Sequence, residues 1–412
     1  MNYKFRESTV EIINKDKVVL ANKNNGYFIR IAKEVYDILN IMIDNKLCVE
    51  ELLSKLNDNE DREYINSLIN KLVENNLIKN SSDKDEIIEN KMVSFEMTHR
   101  CNLKCIHCCI DADGVTSDKK DLTTNETKEI LDKMIDWNPK TIMLSGGEPM
   151  LRNDFIELIV YLRENYKGKI ELSTNGTLIN DNNLKFLIKN IDIINISLDG
   201  VDEETCSKVR GKGVFNNVIK NVKKIQDTGF NKITISMAVS DKNKHLEEDF
   251  IELNKSLGTS PIIRLFAPVG RGADNKRLFS DKGEDEIYIP EDYLSDDYEE
   301  LSIRTCSAGK RELFVSYNGD LYPCPQFTDN KYKLGNIKEI KKIAELNDED
   351  NNKISNMIDS IKYKECETCK VNLFCWTCPG ELKMIKDNIE VIKYRCNKLK
   401  PVLYKRVWGE EI

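Results

Sequence analysis

The sequence predicts an α/β protein in which a parallel sheet stands between a small N-terminal domain and a cysteine-rich C-terminal region. Strand-like and helix-like patterns alternate over residues 92–270, the order that gives parallel strands with helices outside them. Three strand patterns followed by three helical patterns fill residues 1–80, and seven cysteines are spaced through residues 304–412. A length of 412 residues suits two or three such domains.

Composition limits the class of protein further. The chain is 40% hydrophobic and 32% charged, as expected for a globular protein with a sizeable core. No apolar run approaches the roughly 20 residues of a membrane helix, and the first residues lack the apolar segment of a secretory signal. We therefore expect a cytoplasmic protein. A net charge of −8, with acidic residues widely spread, argues against a nucleic-acid partner.

The chain contains thirteen cysteines, an unusual number for a reducing compartment. Disulfides are rare there, so the cysteines point to metal binding. Ten of them fall into spaced groups, and Cys48, Cys109 and Cys206 lie outside these groups.

The first domain, residues 1–80, begins with short strand patterns at 10–14, 17–21 and 26–31. Asn and Gly residues between them are typical of turns. Three amphipathic helical patterns follow, which makes the domain winged-helix-like. The polar segment 81–91 has no periodicity, and we interpret it as a linker.

A winged-helix-like domain has more than one use. The third helical pattern, Asp61–Glu74, is not basic, and acidic and basic residues nearly balance over residues 1–80. DNA binding is therefore not indicated. An exposed strand edge could instead accept an extended peptide through backbone hydrogen bonds. A domain that only packs on its neighbour is also consistent with the pattern.

The central region, residues 92–270, carries its polar motifs where strands end, which is where parallel barrels place active sites. Its strand patterns cover 92–97, 141–145, 170–173, 193–198, 233–239 and 262–266. Its helical patterns lie near 123–137, 154–166, 180–190, 214–228 and 246–257. Residues 271–303 are acidic and interrupted by Gly and Pro, which indicates a connecting segment.

Cys101, Cys105 and Cys108 follow the first of these strands with three and then two residues between them. Three thiolates at this spacing can hold three irons of a cubane cluster and leave the fourth iron open. Three nearby cysteines could alternatively belong to a zinc site.

Three further motifs follow in order: Ser145-Gly-Gly-Glu-Pro149, Ser173-Thr-Asn-Gly-Thr177 and Ser197-Leu-Asp-Gly200. With the cysteine loop they resemble the radical SAM superfamily. The C-terminal cysteines resemble its SPASM subgroup, and the N-terminal domain looks like the PqqD-like element that recognises the leader of ribosomal precursor peptides. The resemblance spans nearly the whole chain. It implies a partial (β/α)6 TIM-type barrel, an N-terminal winged-helix-like domain and a C-terminal Fe–S (SPASM) domain.

The resemblance also implies residues that bind S-adenosylmethionine. The two glycines would let backbone groups approach the methionyl head group, and the following glutamate would lie beside its ammonium. The other positions would contact carboxylate, ribose and adenine. The implied set is Gly146, Gly147, Glu148, Ser173, Asn175, Ser197, Asp199, Arg210, Pro268 and Val269.

The seven C-terminal cysteines resemble the pattern that holds two auxiliary [4Fe–4S] clusters, which makes three clusters in total. By this resemblance Cys306, Cys324 and Cys378 bind the inner cluster, and Cys366, Cys369, Cys375 and Cys396 bind the outer cluster. The family often places three residues within the last internal pair, whereas two stand here. No cysteine lies between the first two inner ligands, so the inner cluster would keep an open iron for a substrate thiolate. Zinc at the C-x2-C pairs is the alternative.

Three residues near the motifs have competing interpretations. Cys206 could donate a hydrogen atom, but an inert helical cysteine is the default interpretation. His107 matches a variable, usually aromatic position, and we expect it to pack beside the cluster. His99 has no partner pattern, so a satisfied core or surface histidine is expected.

The implied function is that of a maturase of the sactipeptide or ranthipeptide thioether-synthase type. A 5′-deoxyadenosyl radical would abstract a hydrogen atom from the precursor peptide, and a cysteine sulfur would close onto the carbon radical. The leader would bind residues 1–80, and flavodoxin or ferredoxin would donate electrons. The alternatives are a carbon–carbon or carbon–oxygen crosslink, a sulfatase-maturase type of modification, and a zinc-stabilised peptide carrier without catalysis.

Overall fold

A computed structural model describes most of the chain. It covers residues 2–83, 90–112, 120–279, 306–345, 364–375, 378–380 and 388–410, with Gly114, Ile289, Leu294, Leu301, Ile303 and Lys383 between them. No helix among these residues is long and apolar enough to cross a bilayer.

The described strands and helices alternate for most of the chain. The strands are β1 (Tyr3–Phe5), β2 (Thr9–Asn14), β3 (Lys17–Asn22), β4 (Phe28–Ala32), β5 (Ile78–Asn80), β6 (Met92–Glu96), β7 (Thr141–Ser145), β8 (Lys169–Thr174), β9 (Ile193–Ser197), β10 (Ile233–Val239), β11 (Ser260–Leu265), β12 (Glu312–Val315), β13 (Asp320–Tyr322) and β14 (Gly335–Asn336). The α-helices are α1 (Lys33–Asp44), α2 (Val49–Ser54), α3 (Asn59–Glu74), α4 (Thr124–Asp136), α5 (Phe155–Asn165), α6 (Asp181–Asn190), α7 (Glu203–Arg210), α8 (Val214–Gln226), α9 (Glu247–Leu257), α10 (Arg271–Asp274), α11 (Lys364–Glu367) and α12 (Ile389–Trp408).

The chain divides into two compact units. One contains residues 1–87, 289–306 and 358–412, and the other contains residues 88–288 and 307–357. The first unit thus joins segments from both ends of the sequence, whereas the sequence pattern suggested two separate terminal domains.

The second unit is built on one nine-stranded sheet in the order β11-β10-β9-β8-β7-β6-β12-β13-β14. Strands β6 to β11 and β12 run parallel, and β13 and β14 complete the sheet in antiparallel pairs. The six strands predicted between residues 92 and 270 are all present, and the α/β fold class is confirmed. A β-hairpin around Asn318, formed by β12 and β13, attaches to β6, an attachment that the sequence analysis did not foresee.

Alternation along these strands gives the sheet an apolar and a polar face. Residues such as Ile142, Leu172 and Ile196 are fully buried in the core shared with the helices. Because successive side chains point to opposite faces, the intervening residues face away from that core. They are mostly polar: Ser94, Glu96, Ser145, Glu171, Ser173, Asn195, Ser197 and Ser236.

The first unit has two cores, one on each face of the antiparallel sheet β2-β3-β4. On one face Val18 and Leu20 pack with residues of α1 and α3, as the helical periodicity predicted. On the other face Val19 and Ala21 pack with residues of α12 and of the segment before it. The sequence analysis also missed the short antiparallel pair β1–β5.

Candidate active site

The loop after β6 carries the first three cysteines. Cys101 and Cys105 are buried, and Cys108 is half-buried. The backbone N–H of Leu103 donates to Cys101 Sγ at 3.4 Å, and that of Ala112 donates to Cys108 Sγ at 3.3 Å. Hydrogen bonds of this kind stabilise negative charge on cluster thiolates.

Burial raises the pKa of the Cys101 thiol to about 11 and also raises that of Cys105, against the opposing charge of Arg210. Such thiols exchange their proton for a metal when one is available. No group of three or more His, Cys, Asp or Glu side chains in the described residues is arranged to hold a metal ion. The fit to an iron–sulfur cluster therefore rests on donor chemistry: buried sulfurs that accept N–H hydrogen bonds.

A buried charge network adjoins the loop. Asp199 Oδ2 lies 2.6 Å from His107 Nε2 and accepts from Arg210 Nε at 2.6 Å, while Oδ1 accepts from the Ala238 N–H at 2.6 Å. Burial favours a high pKa for Asp199, but Arg210 and His107 hold it well below its ordinary value. Arg210 Nη1 lies 3.8 Å from Cys105 Sγ, so the network places a guanidinium beside a thiol that is expected to bind the cluster.

Glu148 connects the ends of β7 and β8. Its carboxylate is fully buried and accepts from Thr174 Oγ1 at 2.9 and 2.8 Å, from the Asn175 N–H at 2.8 Å and from the Met150 N–H at 3.2 Å. Burial raises its pKa to about 7. The expected place of Glu148 beside a ligand ammonium stays a prediction.

The two glycines hold the cysteine loop against β7. A Cβ on Gly146 would meet Thr98 O at 2.4 Å, and one on Gly147 would meet Arg100 O at 2.2 Å. The Gly147 N–H donates to Thr98 O at 2.8 Å. Any larger side chain would push the loop away, so these glycines have a packing role besides the expected approach to a ligand.

The remaining predicted contacts lie at the same edge of the sheet. Asn175 Nδ2 lies 3.8 Å from Cys101 Sγ and donates to Asn102 Oδ1 at 2.8 Å. Ser197 Oγ lies 3.5 Å from Ser236 Oγ. Ser173 is paired in register with Asn195. The structure therefore brings these side chains toward the carboxyl ends of β8 and β9.

The loop after β11, which contains Pro268 and Val269, continues into contacts that the sequence analysis missed. The Arg271 N–H donates to Cys108 O at 2.9 Å, and its Nη1 donates to Cys105 O at 3.0 Å. Asn275 Nδ2 donates to Ile106 O at 3.0 Å. The short Gly-Arg-Gly run at residues 270–272 was the only sequence signal for this clamp on the cysteine loop.

The two histidines and the candidate thiol have different surroundings in the structure. His99 is buried with Nδ1 2.7 Å from Glu96 Oε1, the satisfied core histidine that was expected. His107 pairs with the carboxylate of Asp199, a partner that was not expected. Cys206 is fully buried, donates to Leu198 O at 2.9 Å and has its pKa raised to about 12 by burial. These surroundings favour the inert interpretation of Cys206, because a hydrogen-atom donor must reach the substrate.

The C-terminal cysteines occupy both units. Burial raises the pKa of the Cys375 thiol to about 11, against the opposing charge of Arg395. Cys366, Cys369 and Cys375 lie in the segment 364–375 of the first unit, and Cys396 lies on α12. They are the set expected to bind the outer cluster. Cys324 is buried after β13 in the second unit, while Cys306 is exposed and Cys378 half-buried in the first.

Residues 95–253 match the family model of the radical SAM superfamily, and residues 306–370 match that of an iron–sulfur cluster-binding domain, SPASM. The protein is therefore a radical SAM enzyme, which sets aside the non-catalytic peptide carrier. Its cofactors are S-adenosylmethionine and iron–sulfur clusters.

Named relatives and solved structures extend the likeness. The mycofactocin maturase MftC of Mycolicibacterium smegmatis is 29% identical over 265 residues, which is 60% of this chain and 67% of MftC. The subtilosin biosynthesis protein AlbA of Bacillus subtilis is 29% identical over 258 residues, 59% of this chain and 56% of AlbA. Streptococcus suis SuiB bound to its precursor peptide SuiA shares the fold, with a TM-score of 0.54 and 16% identity over 90% of this chain and 94% of SuiB.

Proposed function

We propose that this enzyme modifies a ribosomally synthesised precursor peptide by closing a thioether between a cysteine sulfur and a carbon of an acceptor residue. The cysteine loop after β6, within the match to the radical SAM superfamily, carries the proposal. MftC is named a maturase and AlbA a bacteriocin biosynthesis protein, and their likeness to this chain supports a peptide substrate.

In this proposal Cys101, Cys105 and Cys108 hold the first cluster, and the ends of β7, β8 and β9 hold S-adenosylmethionine. When bound, these groups supply a 5′-deoxyadenosyl radical that removes a hydrogen atom from the peptide. Arg210 stabilises the negative charge of the cluster through its position beside Cys105. Asp199 fixes Arg210 in that position, and the N–H donors of the loop lower the charge on the sulfurs.

The N-terminal sheet would hold the leader of the precursor. Strand β4 pairs with β3, and among the described residues no strand pairs with its other edge. An extended peptide can add to such an edge through backbone hydrogen bonds.

The C-terminal cysteines would bind two further clusters. Cys366, Cys369, Cys375 and Cys396 give the outer cluster complete ligation, and the inner cluster, on Cys306, Cys324 and Cys378, would keep one open iron. A substrate thiolate at that iron would have a lowered pKa and lie near the carbon to be attacked. The ring closure releases the thiol proton and one surplus electron. The electron would leave through these clusters. Flavodoxin or ferredoxin would supply the electron that starts the reaction.

The first test is iron and acid-labile sulfide in protein purified without oxygen. We expect about twelve irons per chain, falling to about eight in the C101A/C105A/C108A variant. Zinc in place of iron would contradict the proposed clusters.

The second test is the mass of the precursor peptide after incubation with reconstituted enzyme, S-adenosylmethionine and a reductant. A thioether predicts the loss of two hydrogen atoms and of one thiol that iodoacetamide can label. The same mass loss with every thiol retained would instead support a carbon–carbon or carbon–oxygen crosslink. An unchanged mass would contradict peptide crosslinking.

A further inference from the structure

The sheet that would hold the peptide is covered on its back face by the opposite end of the chain. Val19 and Ala21 of β3 are fully buried there. They share a core with Leu403 and Val407 of α12. Within residues 2–83, α1, α2 and α3 all pack on the other side of the sheet, so this described part of the chain leaves the face to be covered from elsewhere.

The second part of the cover is the segment that carries three outer-cluster cysteines. Val371 and Phe374 are buried in the same core. The ring of Phe374 meets that of Phe28, on β4, edge to face with centroids 4.9 Å apart. Trp408 Nε1 donates to Lys370 O at 3.0 Å and ties this segment to α12.

Polar contacts attach α12 to the strands at several points. Arg30 Nη1, on β4, donates to Val407 O at 2.6 Å. Lys17 Nζ donates to Trp408 O at 3.0 Å, and Asn14 Nδ2 donates to Tyr404 Oη at 2.9 Å. Each of the three strands is therefore linked to the helix by side-chain contacts, apolar or polar.

The described segment 364–375 has little regular structure of its own. Its only helix is α11, which has four residues. Cys369 and Cys375 pack against the same core, and Cys396, the ligand expected to complete the outer cluster, lies on α12. A metal group shared by distant ligands couples binding to folding, so loss of the group would release Val371 and Phe374 from the sheet.

We propose that the outer cluster has a second function: through Phe374 and α12 it holds β4 in the conformation that accepts the peptide. The inference rests on the proposed function, in which the open edge of β4 is the binding site of the peptide. A chain without the outer cluster would then keep its catalytic sheet but lose an ordered recognition strand. The protein would thereby avoid holding a precursor that it cannot complete.

Hydrogen exchange measured by mass spectrometry on the full chain tests this directly. The C369A/C375A variant removes two outer ligands, and C101A/C105A/C108A is its control, because it also removes one cluster but in the other unit. We expect amides of β4 to exchange at least tenfold faster in the first variant and at the wild-type rate in the second. Amides of β8 report global unfolding and should not change in the first variant.

A second variant leaves all cysteines in place. Phe374→Ala should speed exchange in β4 with wild-type iron content, and Tyr394→Ala, at an exposed aromatic on α12, should not. Wild-type exchange in β4 for both C369A/C375A and F374A would overturn the inference. The assay contains no peptide, so its outcome is separate from any failure to modify one.

Discussion

At the scale of single residues, spacing was enough to predict the cysteine ligands, but it did not predict the side chains that contact the cysteine loop. The pairing of His107 with Asp199 spans 92 positions, and no local pattern encodes such a contact. The same holds for Arg271, whose contacts with the cysteine loop depend on where β11 ends. Spacing predicts ligands that lie in one loop, whereas partners supplied by other strands emerge only from the fold.

Asp199→Asn should destabilise the protein, because it leaves the buried Arg210 guanidinium without its anion. Breaking a buried pair costs about 3 kcal/mol. Urea denaturation would measure this loss, and D227N, at an exposed site, should change stability little. Equal stability of D199N and wild type would contradict the role given to the pair.

Glu148 should make stability depend on pH. Its folded pKa, about 7, lies above the ordinary value of 4.5, so its contribution is fully present below about pH 4.5 and is lost as pH rises toward 7. The E148Q variant lacks this titration. Between pH 4.5 and pH 8 the free energy of unfolding of the wild type should therefore fall by roughly 3 kcal/mol relative to that of E148Q. A constant difference across that range would contradict the raised pKa.

Cys206→Ala tests the hydrogen-donor hypothesis. Because the thiol is buried and bonded to Leu198 O, we expect S-adenosylmethionine cleavage and peptide modification within about twofold of wild type and a stability loss of about 1 kcal/mol. If the C206A variant still cleaves S-adenosylmethionine but no longer modifies the peptide, the result would support Cys206 as the hydrogen-atom donor.

At the scale of elements, periodicity predicted all six strands between residues 92 and 270, since each alternates with an amphipathic helix. It failed where pairing is decided by tertiary contact. Strand β12 pairs with β6 in parallel, and β1 pairs with β5, which lies at the other end of the N-terminal segment. The long helix α12 was also missed, because Pro401 interrupts its pattern.

Gly147→Ala tests the contact between β7 and the cysteine loop. A methyl group 2.2 Å from Arg100 O must displace the loop, so reconstituted protein should lose about four irons per chain. Gly229→Ala is the control: its φ is positive, unlike that of Gly147, so the substitution brings backbone strain, but its Cβ would meet nothing within 4 Å. Full iron content in G147A would show that the loop can shift without losing its ligands.

At the scale of the whole molecule, the sequence predicted the order of domains but not that the first and last segments form one unit. Contacts between residues nearly 400 positions apart, such as Asn14 with Tyr404, leave no periodic signal. The division into a recognition domain and a cluster domain therefore describes the sequence better than the fold.

A fragment of residues 1–83 should not fold on its own, because the back face of its sheet would expose Val19, Ala21 and Phe28. Circular dichroism and amide dispersion in NMR spectra should show a largely unstructured or aggregated fragment. Addition of a peptide covering residues 388–410 should restore part of the structure. A well-folded fragment would contradict the shared core.

The joining of both chain ends also sets an order of events during synthesis. The three-stranded sheet leaves the ribosome before α12, which begins about 360 residues later, a delay of roughly 20 to 70 seconds at ~5–20 residues per second. Throughout that interval one face of the sheet lacks its cover and is open to chaperones or to other nascent chains. A sheet that is made early is therefore among the last parts of this protein to be completed.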